Sequence, residues 1–504
     1  LLAVFICFAN AISVGFITIP NHGHTGAMNT LLNEVAKRGH KTVVFSAEQA
    51  SHKFPNAYKF YSLGNETTSE ITQNALGSDK DDISILDVPL IFAEIERIVL
   101  TALLPLFKEL SDKNELPDVL IIDFLTFGGF DIADLYDIPA VVSLPGMYPS
   151  KYKPNWMPGN DDGLSLTRRL KGQATKTIEN ILQYSFYYLS NQLRGKLGLE
   201  PWKHFDSCLS SDKITFQFSF PPLVEPGPGL IGPVQLVGLP FKPREDVTLT
   251  DQKVISWINK QTKPIIYVSF GTISRQPAEQ LEFLFAQFKK CQRFSFIWSL
   301  RDEVAERSSI VLDGLREENT PDHILRVPWV DQVALLEHVD IFFTHAGYNS
   351  LVEAIYTKTL MVCMPFMAEQ PENCQRLEFI GAAKQVDRLD LNVDLCEVFG
   401  DVFDDSSYKE TVTMLSQYAK VASNDGLSDA VDTLELIAEF GEAPLLPLDY
   451  SAPFYVRTDL DILALELLLA FILGVFVTRC CCARKIRTGK KLKAEQKTTL
   501  SQVK

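Results

Sequence analysis

In "IPNHGHTGAMNTLL" (residues 19–32), His22 and His24 follow the apolar run "SVGFITIP", and Asp123 closes a second apolar run, "DVLIID". If both runs are parallel strands of one sheet, the turn histidines and the carboxylate meet at the same edge. An imidazole held by a carboxylate is a candidate general base, because the carboxylate fixes the tautomer and favours the imidazolium that forms. Taken singly, each residue is more often a satisfied loop side chain, so the pairing is the informative feature. The turn carries only Gly23 and Gly26, not the G-x-G-x-x-G that a dinucleotide fold needs, which disfavours a dehydrogenase.

A second chemistry is written at "DIFFTHAGYNSLVEA" (340–354), an apolar run, a polar turn and a helix start. Thr344 and His345 fall at a strand end, where open α/β sheets bind ligands. The following helix offers unpaired backbone N–H groups and the positive end of its dipole, a seat for phosphate. Gly347 lets the backbone approach an anion and His345 can donate to it. The bland reading is a capping box in which Ser350 and Glu353 only close the helix start. Two neighbours weigh against it. "VSFGTIS" (268–274) puts Ser269, Gly271 and Thr272 at another strand end, and "PFMAEQPENC" (365–374) puts Glu369 and Gln370 just past a third. Three polar turns at one sheet edge suit a ligand site, and an acid–amide pair suits sugar hydroxyls.

From Trp329 to Gly381 the pattern W-x-x-Q, H-x-G-x-N-S-x-x-E and a final acidic-Gln pair resembles the donor-binding signature of the UDP-glycosyltransferase family. The resemblance runs over essentially the whole chain. It implies a GT-B fold, two Rossmann-like domains facing a cleft, with a UDP-sugar as donor substrate and no cofactor. It also implies roles. Trp329 stacks on uracil, with Val330 and Gln332 beside the nucleoside, and Glu353 holds the ribose. His345, Gly347, Asn349 and Ser350 hold the diphosphate with Ser269, Gly271 and Thr272, while Glu369 and Gln370 hold the sugar. His24, rather than His22, matches the base, and Asp123 matches its support. The sequence departs from the family where Glu369 stands in place of the usual Asp, and the Gln332-to-His345 connection is slightly shorter. The donor sugar, glucose or glucuronic acid, stays open, and the acceptor is expected to be a small lipophilic molecule.

The elements that must position these residues alternate strand with helix, the mark of an α/β protein built from doubly wound halves. In the first half the strands are 13–20, 41–47, 118–123 and 139–144, with a helix near Gly26 to Arg38. A Pro- and Gly-rich stretch over 225–250 breaks the pattern. A second half has strands at 264–270, 294–300, 339–345 and 360–366. The expected domains are 12–235, which takes the acceptor, a linker at 236–250, and 251–445, which takes the UDP-sugar. Residues 177–193 read as an aromatic-rich helix, more often core than an acceptor wall or membrane patch.

The chain of 504 residues is 46% hydrophobic and 22% charged, ordinary globular composition, and its net charge of -15 argues against nucleic acid as a partner. Residues 1–11 end in an A-x-A pattern and read as a signal peptide whose true start lies upstream. Residues 462–478 read as a transmembrane helix reached through a stalk at 446–461. The tail, 479–504, holds nine Lys or Arg and one Glu, which makes it the cytoplasmic side of a single-pass type I protein with luminal domains, as in the endoplasmic-reticulum members of the family. Cys480, Cys481 and Cys482 at that boundary are palmitoylation candidates. Asn65 opens a glycosylation sequon. Cys208, Cys291, Cys363, Cys374 and Cys396 show neither metal-ligand spacing nor an evident disulfide framework, so no metal is expected. A homo-oligomer is compatible with the sequence. The runner-up reading is a catalytically silent membrane protein that binds a nucleotide sugar or lipid in the same cleft.

Overall fold

The computed structural model describes residues 11–20, 22–65, 71, 85–146, 181–182, 184–202, 213–220, 223, 234–241, 248–271, 276–316, 319–366 and 369–445, with short helical runs between 461 and 475. The expected signal peptide except residue 11, nearly all of the stalk, the basic tail, Cys208, Cys480, Cys481, Cys482 and Thr272 lie outside the described residues.

One compact unit, ending at Leu446, holds both sheets. The first is parallel, order β3-β2-β1-β4-β5-β6-β7. Its strands are β1 (Ser13–Ile17), β2 (Lys41–Ser46), β3 (Lys59–Ser62), β4 (Val119–Asp123), β5 (Ala140–Leu144), β6 (Ile214–Gln217) and β7 (Val234–Leu236). The second is also parallel, order β10-β9-β8-β11-β12-β13. It contains β8 (Ile265–Ser269), β9 (Ser295–Ser299), β10 (Ile324–Val327), β11 (Ile341–Thr344), β12 (Leu360–Cys363) and β13 (Ala383–Gln385). Central strands β4, β5, β8, β11 and β12 are buried at every residue, which is why they read as unbroken apolar runs. Strands β3, β6, β7, β10 and β13 lack such runs. They are three or four residues long and part-exposed, so no sequence period announces them.

Helix α1 (His22–Lys37) starts earlier than Gly26, so His24 stands in its first turn rather than in a loop. Helices α2 (Val88–Asp112) and α3 (Gly128–Tyr136) cover the other face. A Cβ on Gly128 would fall 2.9 Å from Leu100 Cβ and 3.0 Å from its backbone nitrogen, so the two helices touch through a missing side chain. The aromatic helix is described over 184–196 and divides by face: Phe186 is buried against Phe127, while Tyr184 and Tyr188 are exposed.

The second sheet is flanked by α4 (Ala278–Lys290), α5 (Gln332–Leu336), α6 (Tyr348–Thr357), α7 (Gln370–Phe379), α8 (Leu395–Asp404) and α9 (Ser406–Phe440). Helix α9 does not stay with it. Its Val412, Leu415 and Ala419 sit in the second core, but Ala430, Val431, Leu434 and Ile437 sit in the first, against Val14, Phe16 and Leu31. The chain crosses where Gly426 lies against the backbone of Val237 and Gly238 against Ser423. The end of the second segment thus packs on the first, and the expected break at 236 falls on the last residue of β7. Arg38 pairs with Asp432 and Glu435, and His40 Nε2 lies 2.9 Å from Glu435. Part-exposed pairs of this kind contribute about 0–1 kcal/mol. Burying Val431, Leu434 and Ile437 contributes about 1.5–3 kcal/mol each, so the apolar stripe decides where α9 lies.

Two disulfides correct the expectation of none: Cys291–Cys396 and Cys363–Cys374, with Cα–Cα distances of 5.4 and 6.1 Å. Sequence spacing could not show the first, since its partners are 105 residues apart and meet only once α4 and α8 pack. Among the described residues no helix is long and apolar enough to cross a membrane. Within 462–478 the described runs are helical, with Leu465, Leu468, Phe471 and Leu473 exposed. Asn65 is exposed, just after β3.

Gly128→Ala should push α3 off α2, because backbone cannot give way as a flexible side chain can. We expect about 1–3 kcal/mol of destabilisation, read as a lowered midpoint in thermal or urea unfolding.

Candidate active site

The register of the first sheet brings His24 and Asp123 together. Ile17 pairs with Ile122, so β1 and β4 end side by side, and α1 leaves the β1 end carrying His24. His24 Nδ1 lies 2.6 Å from Asp123 Oδ2. The second carboxylate oxygen accepts from the Leu125 N–H at 2.9 Å, and Thr126 Oγ1 donates to the Asp123 carbonyl at 2.7 Å. Asp123 is fully buried, so its carboxylate is fixed by these contacts. The His24 ring stacks on Phe124, centroids 5.4 Å apart. Burial pulls the His24 pKa down, but the charge and hydrogen bond of Asp123, with a smaller pull from Glu369, outweigh it and leave the pKa raised. With Nδ1 turned to Asp123, Nε2 is the nitrogen left to exchange a proton.

Glu369 belongs to the other half of the molecule, so its influence on His24 places the two sheet edges opposite each other. Direct contacts agree. Asn349 Nδ2 donates to the Gly23 carbonyl at 3.3 Å, and Tyr348 OH donates to the Phe218 carbonyl at 2.7 Å.

On the second edge, Thr344 pairs with Ser269 and with Cys363, so three turns leave the sheet together. Gly347 caps α6 without a side-chain hydrogen bond, and Ala346 before it holds φ +66°. The capping box does not form. Ser350 lies inside the helix, and the Glu353 carboxylate turns instead to Gln332 Nε2 at 2.7 Å. Gln332 Nε2 also reaches Ser350 Oγ at 3.1 Å, and Tyr267 OH donates to Gln332 Oε1 at 3.4 Å. Burial, helped by the Asp331 charge and opposed by Gln332, pushes Glu353 up to about 7. Trp329, three residues before Gln332, is 71% exposed, its indole open for stacking, whereas Val330 is buried in the core.

His345 is walled in by glycines. A Cβ on Gly271, whose φ is +77°, would lie 2.7 Å from His345 Nε2, and one on Gly347 would also fall inside contact distance. Its Nδ1 is buried without a hydrogen-bond partner. Burial pushes the His345 pKa down to about 4, with the Ser269 main chain partly opposing, so the ring is neutral at pH 7. Glu369 and Gln370 open α7. Burial among protein atoms raises the Glu369 pKa even though its side chain stays open to the cleft, and Gln370 Oε1 accepts from the Phe366 N–H at 2.9 Å.

The structure therefore brings His24 and Asp123 together, sets Asn349 against Gly23, places Gly271 and Gly347 around His345, and joins Gln332, Ser350 and Glu353, while Trp329 stands exposed three residues before Gln332. Sequence reasoning passed over Tyr267 and Asn373. Tyr267 is, among the described residues, the one hydroxyl-bearing aromatic in a buried strand, and Asn373, three residues after Gln370 on the same helix face, donates to the Ala346 carbonyl at 3.0 Å.

Residues 117–497 match the family described as UDP-glucoronosyl and UDP-glucosyl transferase. Human UDP-glucuronosyltransferase 2B7 is 24% identical over 97% of this chain and 98% of its own length. Human UDP-glucuronosyltransferase 1A9 is 25% identical over 74% of this chain and 71% of its own length. Among solved structures, the glycosyltransferase of kitacinnamycin superposes with a TM-score of 0.63 at 16% identity, covering 87% of this chain and 100% of that one. Arabidopsis thaliana UGT89C1 complexed with UDP-L-rhamnose superposes at 0.57 and 18%, covering 85% and 99%. These likenesses give the fold as that of GT-B glycosyltransferases, and the match over most of its length makes this chain a member of the UDP-glucuronosyl and UDP-glucosyl transferase family, a UDP-glycosyltransferase.

Proposed function

We propose that the enzyme transfers glucuronic acid or glucose from its UDP donor to the hydroxyl of a small lipophilic acceptor, with inversion and without a metal ion. The observation that carries this reading is the 2.6 Å contact of Asp123 with His24, which is next in sequence to Gly23, whose carbonyl accepts from Asn349 of the turn that opens α6. His24 Nε2 takes the acceptor's proton while Asp123 steadies the imidazolium. The oxygen then attacks the anomeric carbon from the face opposite UDP, and the diphosphate leaves toward α6. Its charge is met by the helix N-terminus, by Asn349, Ser350 and the hydroxyl turn of Ser269 and Thr272, and by His345. A neutral His345 suits this role, because it can donate without costing the burial of a second charge. Trp329, Val330, Gln332 and Glu353 hold the nucleoside, and Glu369 and Gln370 hold the sugar.

The same reading takes residues 462–478 as a membrane anchor and the preceding domains as luminal. The basic tail supports it, and so do two disulfides in one domain, which belong to an oxidising compartment.

His24→Ala should lower turnover by about 10²–10⁴-fold while UDP binding, measured by calorimetry, is kept; surviving transfer would remove His24 from the mechanism. A wild type that binds UDP-glucose or UDP-glucuronate but transfers to no member of a phenol panel would favour the silent-binder reading. The base acts unprotonated and its pKa is raised, so kcat/KM should fall as pH drops through that raised value. In Asp123→Asn, burial wins, the acidic limb moves to lower pH, and the rate at the optimum falls by about 10⁴-fold, as loss of a base-orienting carboxylate does elsewhere. Gly347→Ala drives a methyl into His345 and should weaken UDP binding by about tenfold or more, with the His24 pH profile unmoved.

A further inference from the structure

The two residues read as sugar ligands stand at the start of helix α7, Glu369 as its N-cap and Gln370 as its first residue. Its sequence is QPENCQRLEF, and its buried residues are Gln370, Asn373, Cys374 and Leu377. Two of those are polar, so Leu377 and Cys374 supply its apolar footing, and Cys374 lies one turn after Gln370. That cysteine is bonded to Cys363, the last residue of β12, and both are fully buried. Cys363 in turn pairs in register with Thr344, the residue before His345. The bridge therefore spans 11 residues, closes the loop that bears Glu369 and Gln370, and ties α7 to the strand beside the diphosphate turn. Asn373, 2% exposed, makes a second tie to that same turn through the Ala346 carbonyl.

We propose that the Cys363–Cys374 disulfide is a strap that positions the sugar-binding end of α7, so that recognition of the transferred sugar depends on its being oxidised. The strap does not touch substrate; it acts through Glu369 and Gln370. It rests on the reading of those two residues as the sugar contacts. Opening it consumes two electrons and two protons from a dithiol reductant, which is itself oxidised to a disulfide, and leaves two thiols. The covalent tie between α7 and β12 is then gone, and the start of α7 is held by non-covalent contacts alone, the Asn373 and Gln370 hydrogen bonds among them.

The test compares Cys363→Ser, Cys374→Ser and the double variant in the full-length, membrane-bound enzyme, with whichever of UDP-glucose or UDP-glucuronate the wild type uses. Each single variant breaks the whole bridge, so all three should raise the donor KM by a similar factor, about tenfold, rather than add. The inhibition constant of UDP, which lacks the sugar, should move less than about twofold. The double variant Cys291→Ser/Cys396→Ser, which opens the other bridge, should leave the ratio of donor KM to UDP inhibition constant as in wild type. Should the serine variants fail to accumulate, wild-type enzyme is assayed before and after dithiothreitol, with mass-spectrometric thiol labelling of both cysteines. Labelling accompanied by a raised donor KM supports the strap. An unchanged donor KM, an equal loss for UDP, additive single effects, or two free thiols in the untreated enzyme would each overturn it. A wild type that transfers from neither donor would instead count against the transferase reading.

Discussion

The cleft exists because α9 starts on one sheet and ends on the other. Parallel strands put every functional turn at the carboxyl edge of its sheet, but nothing in either sheet makes the two edges face each other. The apolar stripe of Ala430, Val431, Leu434 and Ile437 does so by completing the core under β1 and α1. The crossing depends on close backbone approach at Gly426 and Gly238, where side chains would hold the halves apart. Arg38 and His40 meet α9 near its end, and the solvent-exposed Arg38–Asp432 pair adds little energy to the apolar stripe.

Once the edges are opposed, two part-buried histidines acquire opposite characters from their surroundings. His24 has a full carboxylate at hydrogen-bond distance, and that charge overrides the cost of burial. His345 has no charged partner and is walled by glycines, so burial prevails and keeps it neutral. A raised pKa suits a group that must accept a proton. A depressed one suits a group that must donate to an anion without carrying charge into the core. The same logic applies to Glu353, which burial leaves poised near neutrality and which Gln332 holds in place.

The second edge is a set of interlocked turns rather than separate loops. Ser269, Thr344 and Cys363 are register neighbours, and Asn373 joins α7 to the left-handed turn at Ala346. A shift in one turn is therefore felt by the others. In the proposed reaction that coupling serves to keep diphosphate and sugar in adjoining seats, because their relative placement sets the line along which the anomeric carbon is approached.

The amino-acid sequence by itself determined the strands that are buried on both faces, such as 119–123 and 341–344, because their apolar runs admit no other use. It also determined the residue types at the strand ends, since a motif from Trp329 to Gly381 needs no folding to be read. It did not determine that Ser350 and Glu353 forgo a capping box, because the competing partner, Gln332, arrives only when α5 packs on α6. Nor did it determine the disulfides, the short edge strands or the return of α9, each of which joins residues whose local patterns are silent about one another. Tertiary structure decided these because they depend on contact between distant segments, and a linear pattern records only the environment of its own neighbourhood.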